Sequence, residues 1–158
     1  MHRKLDYQGT IDLFDELVSK HKQLATFVIN DTEDISSKVK EGTKVPALIL
    51  IDYDEDIAEK SDNGQSVKDI LIGVVKNHST KSRNVSSVQT IQNDCRELCL
   101  DVYSYLRKLK RENQIPGLQL GLSEGSPLKF KAGSFFGWGF VLTIKTPENL
   151  SYKSENWN

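Results

Sequence analysis

The chain has 158 residues, of which 37% are hydrophobic and 27% charged, and its formal net charge is −1. These values exclude a disordered chain and indicate one globular domain around a single core. The balanced charge also excludes a general attraction to nucleic acid or anionic lipid, so any such preference has to come from a local patch.

No apolar run approaches the roughly 20 residues that a transmembrane helix needs. The longest runs are ALILI at 47–51 and ILIGVV at 70–75, and the first residues, MHRKLDYQG, lack the apolar stretch of a signal peptide. We therefore expect a protein that works in a cytoplasm, or in a particle assembled there, and that does not bind membranes.

The first predicted elements are a helix and a short strand. Residues 10–24 carry apolar side chains at helical spacing, with Thr10 as the expected N-cap, and TFVIN at 26–30 is typical of a strand. The polar stretch that follows, around Gly42, is compatible with a loop or a weak helix. Residues 1–9 are predicted to be a flexible N-terminus.

A long hairpin is predicted next, from strands over 45–60 and 67–78 joined by a turn at Asp62, Asn63 and Gly64. Because side chains alternate along a strand, Asp52, Asp54 and Asp56 project from one face. An EF-hand loop is excluded, since its sixth position would be Ile57 and its twelfth Asn63. The run is either a solvated strand end or a functional acidic face.

The clearest helix is predicted over 87–111, after a polar loop at 79–87, with Ser86 or Ser87 as its cap. Cys95 and Cys99 lie four residues apart on its apolar face. This spacing predicts buried, reduced thiols. A metal site remains the alternative, although no His or third Cys lies nearby in sequence.

The last predicted elements are two strands within 128–146, around Ala132 and Gly133, and an irregular tail at 147–158 that docks on the protein. The whole chain is therefore predicted to be one α+β domain. Its antiparallel sheet has about four to six strands, includes the long hairpin, and is covered on one face by two helices.

No catalytic constellation stands out, so we expect no enzyme and no cofactor. His2, His21 and His78 are scattered, and the glycines of GSFFGWGF have the wrong offsets for a phosphate loop. Two basic stretches, 76–83 and 107–111, have structural explanations as a solvated loop and a helix C-terminus.

Aromatic residues near the C-terminus are the strongest candidates for an interface between subunits. In a strand, three of them share one face and Phe135 opposes them, so some aromatic surface lies on each side of the sheet. The core accounts for one of these faces, and an interface between subunits is the natural interpretation of the aromatic surface that is left. The candidate interface residues are Phe135, Phe136, Trp138, Phe140, Tyr152 and Trp157.

The order of elements, together with PALILIDYDEDIAEKSDN, YLRKLKREN and FFGWGFVLTIKTPENLSY, resembles small structural proteins of tailed bacteriophages and prophages of the Bacteroidetes type, and in particular the tail-terminator and tail-completion group. The resemblance implies a virion protein that forms a ring, expected to be a hexamer, at the end of the tail tube. Its partners would be tail-tube and neck proteins, and DNA would pass through without specific binding. Asp52, Asp54 and Asp56 would then line the channel.

Two alternatives remain open from the sequence. One is a cytoplasmic adaptor module that binds a protein partner through the aromatic hairpin. The weaker one is a nucleic-acid-binding protein that acts through the basic stretch at 76–83.

Overall fold

A computed structural model of the chain describes residues 3–30, 43–60, 63–78, 84–120, 124–130, 134–151 and 153–156. Within them the elements are α1 (Tyr7–Lys20), β1 (Thr26–Ile29), β2 (Ala47–Lys60), β3 (Asn63–Asn77), α2 (Val85–Arg111), β4 (Leu118–Gln119), β5 (Gly125–Lys129), β6 (Phe135–Asn149) and a short 3-10 turn at Ser154–Asn156. The predicted α+β class is confirmed.

The described strands form one six-stranded sheet in the order β1-β2-β3-β6-β4, with β5 also paired to β6. The predicted hairpin is β2 with β3, and β6 lies antiparallel to β3 along its whole length. One pairing differs from the predicted antiparallel sheet, because β1 runs parallel to β2. The sheet is therefore mixed.

Both described helices pack on one face of the sheet, as predicted. The main core cluster joins apolar residues of α1 and α2 to alternate residues of the central strands, among them Leu50, Ile72 and Phe140. The opposite face carries a smaller cluster formed by Ala47, Ile49, Val75 and Phe135. Near β1 the central strands are thus buried on both faces.

The helix starts differ from the sequence prediction. Asp6, not Thr10, caps α1 by accepting a hydrogen bond from the backbone of Gly9 at 2.9 Å. Asn84, not Ser86 or Ser87, caps α2 in a reciprocal capping box with Ser87.

The predicted flexible N-terminus is also corrected for the residues that the structure describes. Leu5 is buried in the main core cluster, and the backbone N–H of Arg3 donates to the carbonyl of Gln114 at 2.8 Å. The glycine at position 9 allows the backbone of Lys4 to pass close to the start of α1, because a Cβ at Gly9 would lie 1.9 Å from the carbonyl oxygen of Lys4. The segment that precedes α1 is therefore packed across the helix start.

The predicted irregular tail begins later than expected, because β6 continues to Asn149. The side chain of Leu150 then lies directly over Gly64 of β3. Leu150, the first residue after β6, is thus in contact with the end of the hairpin. None of the helices in the described ranges is both long enough and apolar enough to span a bilayer.

Candidate functional site

The three predicted aspartates do project from one face of the sheet, and all three are exposed. A bulge between Leu50 and Asp52 resets the pairing of β2 with β3, so that Asp54 lies directly opposite Asp69. Asp69 accepts a hydrogen bond from the hydroxyl of Thr143 on β6 at 2.7 Å. We call Asp52, Asp54, Asp56 and Asp69 the acidic face.

Asp69 was not predicted to lie there, because the turn was predicted at Asp62, Asn63 and Gly64, whereas Asn63 already pairs with Lys60 in the structure and this register brings Asp69 opposite Asp54. Like charges placed directly opposite on a sheet repel each other and reduce stability. Four carboxylates on neighbouring strands therefore make a surface that disfavours anions. They lie on the face opposite the helices.

The aromatic residues of β6 are mostly core, which corrects the prediction that they present surface to a neighbouring subunit. Phe135, Phe136 and Phe140 are all buried within the chain. The physical reason is that Phe135 is buried in the smaller apolar cluster on the face opposite the helices, while α2 covers the other face of β6. Trp138 alone among these four is only partly buried.

Two further candidate interface residues, Tyr152 and Trp157, lie outside the described residues. Their predicted part in docking the tail therefore stays a prediction.

Trp138 lines an open groove of about 330 Å³ between α2 and the β5–β6 edge of the sheet. The lining residues, which we call the groove, are Arg96, Cys99, Leu100, Tyr103, Gly125, Trp138 and Phe140. Gly125 is needed there, because a Cβ would lie 2.7 Å from Nε1 of the Trp138 indole. The groove therefore presents a flat aromatic wall opposite a helix.

Tyr103 holds the helix side of the groove in place by a hydrogen bond and an aromatic contact. The Tyr103 hydroxyl donates to the carbonyl of Leu120, and the Tyr103 ring meets Phe140 edge-on at 6.3 Å. Leu100 is left 43% exposed at the rim. An exposed leucine beside a half-buried tryptophan is typical of a surface that receives an apolar side chain.

The two cysteines are buried and free, as predicted. The Cys99 thiol donates to the carbonyl of Trp138 at 3.2 Å, and the Cys95 thiol faces the carbonyl of Phe136 at 3.8 Å. Burial raises the pKa of both thiols to about 12. They are protonated at neutral pH, and a nucleophilic role is disfavoured.

A buried lysine is the least expected feature of the structure. The Lys68 side chain is 1% exposed and points to the helix face of β3. Its ammonium group donates to the hydroxyls of Ser66 and Thr146, each at 2.7 Å, and lies 3.4 Å from Glu55 and 4.0 Å from Glu148. We call these five residues the Lys68 network.

The network favours the charged form of Glu55. The hydrogen bond from Ser66 lowers the pKa of Glu55, and the charge of Lys68 adds to this effect. Because each hydroxyl and each carboxylate has the ammonium as a partner, the site is a satisfied ion cluster, which disfavours a catalytic role for Lys68. It joins β2, β3 and β6 at the point where the apolar core ends.

The described histidines take part in local structure. Nδ1 of His21 accepts the backbone N–H groups of Gln23 and Leu24 at 3.1 Å, while Nε2 lies 3.5 Å from Asp101. Nε2 of His78 lies 2.7 Å from the hydroxyl of Ser87. Within the described ranges, no group of three or more potential ligands is arranged to hold a metal ion.

The basic stretches are only partly described. Lys76 is paired with Asp94 at 3.4 Å. Residues 79–83 lie outside the described ranges, and 107–111 form the last turn of α2.

These surfaces define the molecule as an α+β protein whose sheet is apolar and helix-covered on one side and acidic on part of the other. No protein-family model matches the chain, and no curated protein matches it.

Proposed function

We propose that the protein is a non-enzymatic structural component of a tailed-phage particle, a tail terminator or neck protein that forms a ring. The observation that carries the proposal is the acidic face. Its four carboxylates lie on the side of the sheet opposite the helices, where a ring subunit can turn them towards a central channel.

An acidic wall suits a channel through which DNA passes. DNA carries a dense row of phosphates, and fixed negative charges repel them over about 8–10 Å at physiological salt. Repulsion keeps the wall from binding the DNA that moves through it.

The shape of the sheet also supports the proposal. β2, β3 and β6 have 14, 15 and 15 residues, so each is about 45–50 Å long. The main core cluster extends along β6 only to Ile144. The last part of this three-stranded ribbon is therefore available to reach a neighbouring subunit.

The assembly is tested first with the purified protein. We expect mass photometry to detect a closed oligomer, a hexamer as the resemblance implies, and electron microscopy to show a ring with a central hole. A strictly monomeric protein that is also missing from purified phage or tail-like particles would refute the proposal. Capsid, portal or tail-tube genes beside its own gene would support it independently.

The acidic channel is tested by reversing charge. The double variant Asp54→Lys/Asp69→Lys should still form rings, but the rings should now retain short duplex DNA at low salt. The matched control is Asp12→Lys/Asp15→Lys, which makes the same change in net charge on the exposed side of α1. Equal retention by both variants would show that the acidic face does not line the channel.

The adaptor alternative is favoured by one observation, the half-buried Trp138 in the open groove. An adaptor would use the groove to hold an apolar side chain of a different protein. It would remain a monomer or dimer at concentrations where a ring protein assembles. The mass measurement therefore separates the two functions.

A further inference from the structure

We propose that neighbouring copies of this chain join by placing Ile57 of one copy in the groove of the next. The inference rests on the proposed ring and identifies its subunit contact. Ile57 projects from the end region of the β2–β3 hairpin and is 57% exposed. We call Ile57, with Glu55 and Glu59 on either side of it along the same strand face, the knob.

The knob is acidic around an apolar centre. Glu55 and Glu59 are each two residues from Ile57, so all three side chains share one face of β2. Glu55 is fixed in place by Ser66 and Lys68. A rigid strand thus presents an isoleucine between two carboxylates, the one at Glu59 exposed and the one at Glu55 partly so.

The groove has the complementary pattern. Arg96, Leu100, Tyr103 and Arg107 follow one another at spacings of four, three and four residues, which places them in one stripe along α2. The stripe is basic at both ends and apolar in the middle. Arg96 also contacts Glu97 at 2.9 Å, a pair of exposed side chains that can exchange partners at little cost.

The two patterns also match in length. The four residue steps of strand from Glu55 to Glu59 span about 13 Å. The eleven residue steps of helix from Arg96 to Arg107 span about 16 Å. With Ile57 seated against Leu100 and Trp138, each carboxylate of the knob can therefore approach one arginine of the stripe.

A chain cannot fill its own groove with this knob. Ile57 is level with Ser66 and Thr146 in the sheet register, whereas the groove lies at Trp138 and Phe140. Six residues of strand between Phe140 and Thr146 correspond to about 20 Å. Since β2, β3 and β6 are hydrogen-bonded throughout this region, the knob cannot fold back across that distance.

Two different surfaces on one chain make a head-to-tail contact, and such contacts close into rings when the rotation allows it. This gives an experiment with a specific signature. Ile57→Asp destroys the knob and keeps the groove, while Leu100→Asp destroys the groove and keeps the knob. Each variant alone should be monomeric, and an equimolar mixture should form a 1:1 heterodimer that grows no further.

The control is Val85→Asp, which changes another highly exposed apolar residue, 74% exposed at the start of α2, away from both surfaces. It should assemble like the wild type. Ile57→Ala retains the charges and should weaken the contact about ten-fold. Circular dichroism of every variant checks that the fold is intact.

The outcomes separate the contact from the function. If both Asp variants still form rings, the knob and groove are not the interface, and the proposed function is unaffected. If both are monomeric but their mixture forms no heterodimer, the two surfaces do not pair and the inference is wrong. If the wild type and the mixture stay monomeric at every concentration, the inference is again refuted, and presence in purified particles decides the function separately.

Discussion

Replacing Lys68 with methionine should destabilise the protein strongly, although it leaves no cavity. Methionine retains most of the aliphatic volume of lysine, so the packing of the stem survives. The ammonium group is lost, and with it two hydrogen bonds to buried hydroxyls and the countercharge for Glu55 and Glu148. The perturbation is therefore mainly electrostatic.

The expected size follows from the burial of the partners. Removing one member of a buried ion pair costs about 3–5 kcal/mol. Here the side chains of Glu55 and Glu148 are 36% and 39% exposed, so water replaces part of the lost attraction. We therefore expect the lower end of that range, about 3 kcal/mol in the free energy of unfolding.

Urea unfolding measures this loss, provided that the slope of the transition is unchanged. A second variant supplies the control: Lys68→Met combined with Glu55→Gln removes one of the stranded charges and should recover about 1 kcal/mol or more. A loss below about 1 kcal/mol for Lys68→Met alone would refute the argument, because it would mean that the network contributes no more than a surface ion pair.

Three further predictions concern other parts of the molecule. Hydrogen bonds from Arg3, and then from Lys20, lower the pKa of Glu16 to about 2. The stabilisation that results is complete above about pH 4.5 and is lost as the pH falls towards 2. Arg3→Ala should therefore flatten the plot of melting temperature against pH in this range, and identical curves for the wild type and the variant would contradict this. Burial raises the pKa of Cys95 and Cys99 to about 12, so a thiol reagent at neutral pH should label them only after denaturant is added, and rapid labelling of the native protein would place the thiols at the surface. Gly137→Ala should lower the free energy of unfolding by about 3 kcal/mol, because its Cβ would lie 1.9 Å from the carbonyl oxygen of Val74. Gly139→Ala, whose Cβ would have its nearest neighbours at 3.2 Å, should lower it by about 1 kcal/mol or less. Equal losses for the two variants in urea unfolding would contradict this steric argument.

Periodicity made the main elements predictable from the sequence. The apolar residues of α2 recur at helical spacing, and the alternation of Asp52, Asp54 and Asp56 correctly predicts a single acidic face, because both patterns are local properties of the chain. The starts of the helices were harder to predict. Gly9 looks like a helix breaker, and only the close approach of the Lys4 carbonyl explains why it belongs to the first turn of α1.

Features that depend on distant parts of the chain were not predictable in the same way. Lys68 lies in a polar part of β3, next to Asp69, and its burial becomes clear only when β6 brings Thr146, 78 residues away, next to it. The parallel pairing of β1 with β2 likewise depends on a connection that has no local signature. The prediction for the aromatic run of β6 was wrong for the same reason, since Phe135 is buried by a second apolar cluster that residues distant in sequence form on the far face.

The bulge between Leu50 and Asp52 divides the sheet into two regions with different physical roles. Before it, β2 places apolar side chains on both faces, and burial on both sides holds the strands in place. After it, one face is acidic, while the other first packs Tyr53 and Ile70 into the main core and then carries the Lys68 network, so the end of the ribbon is held together by backbone pairing and by an ion cluster. For the proposed subunit contact, the end of the ribbon has to be rigid without exposing much apolar surface, since a large exposed patch promotes aggregation of the free subunit. A polar anchor at Lys68, with the exposed Ile57 beyond it, fits both requirements of the proposal.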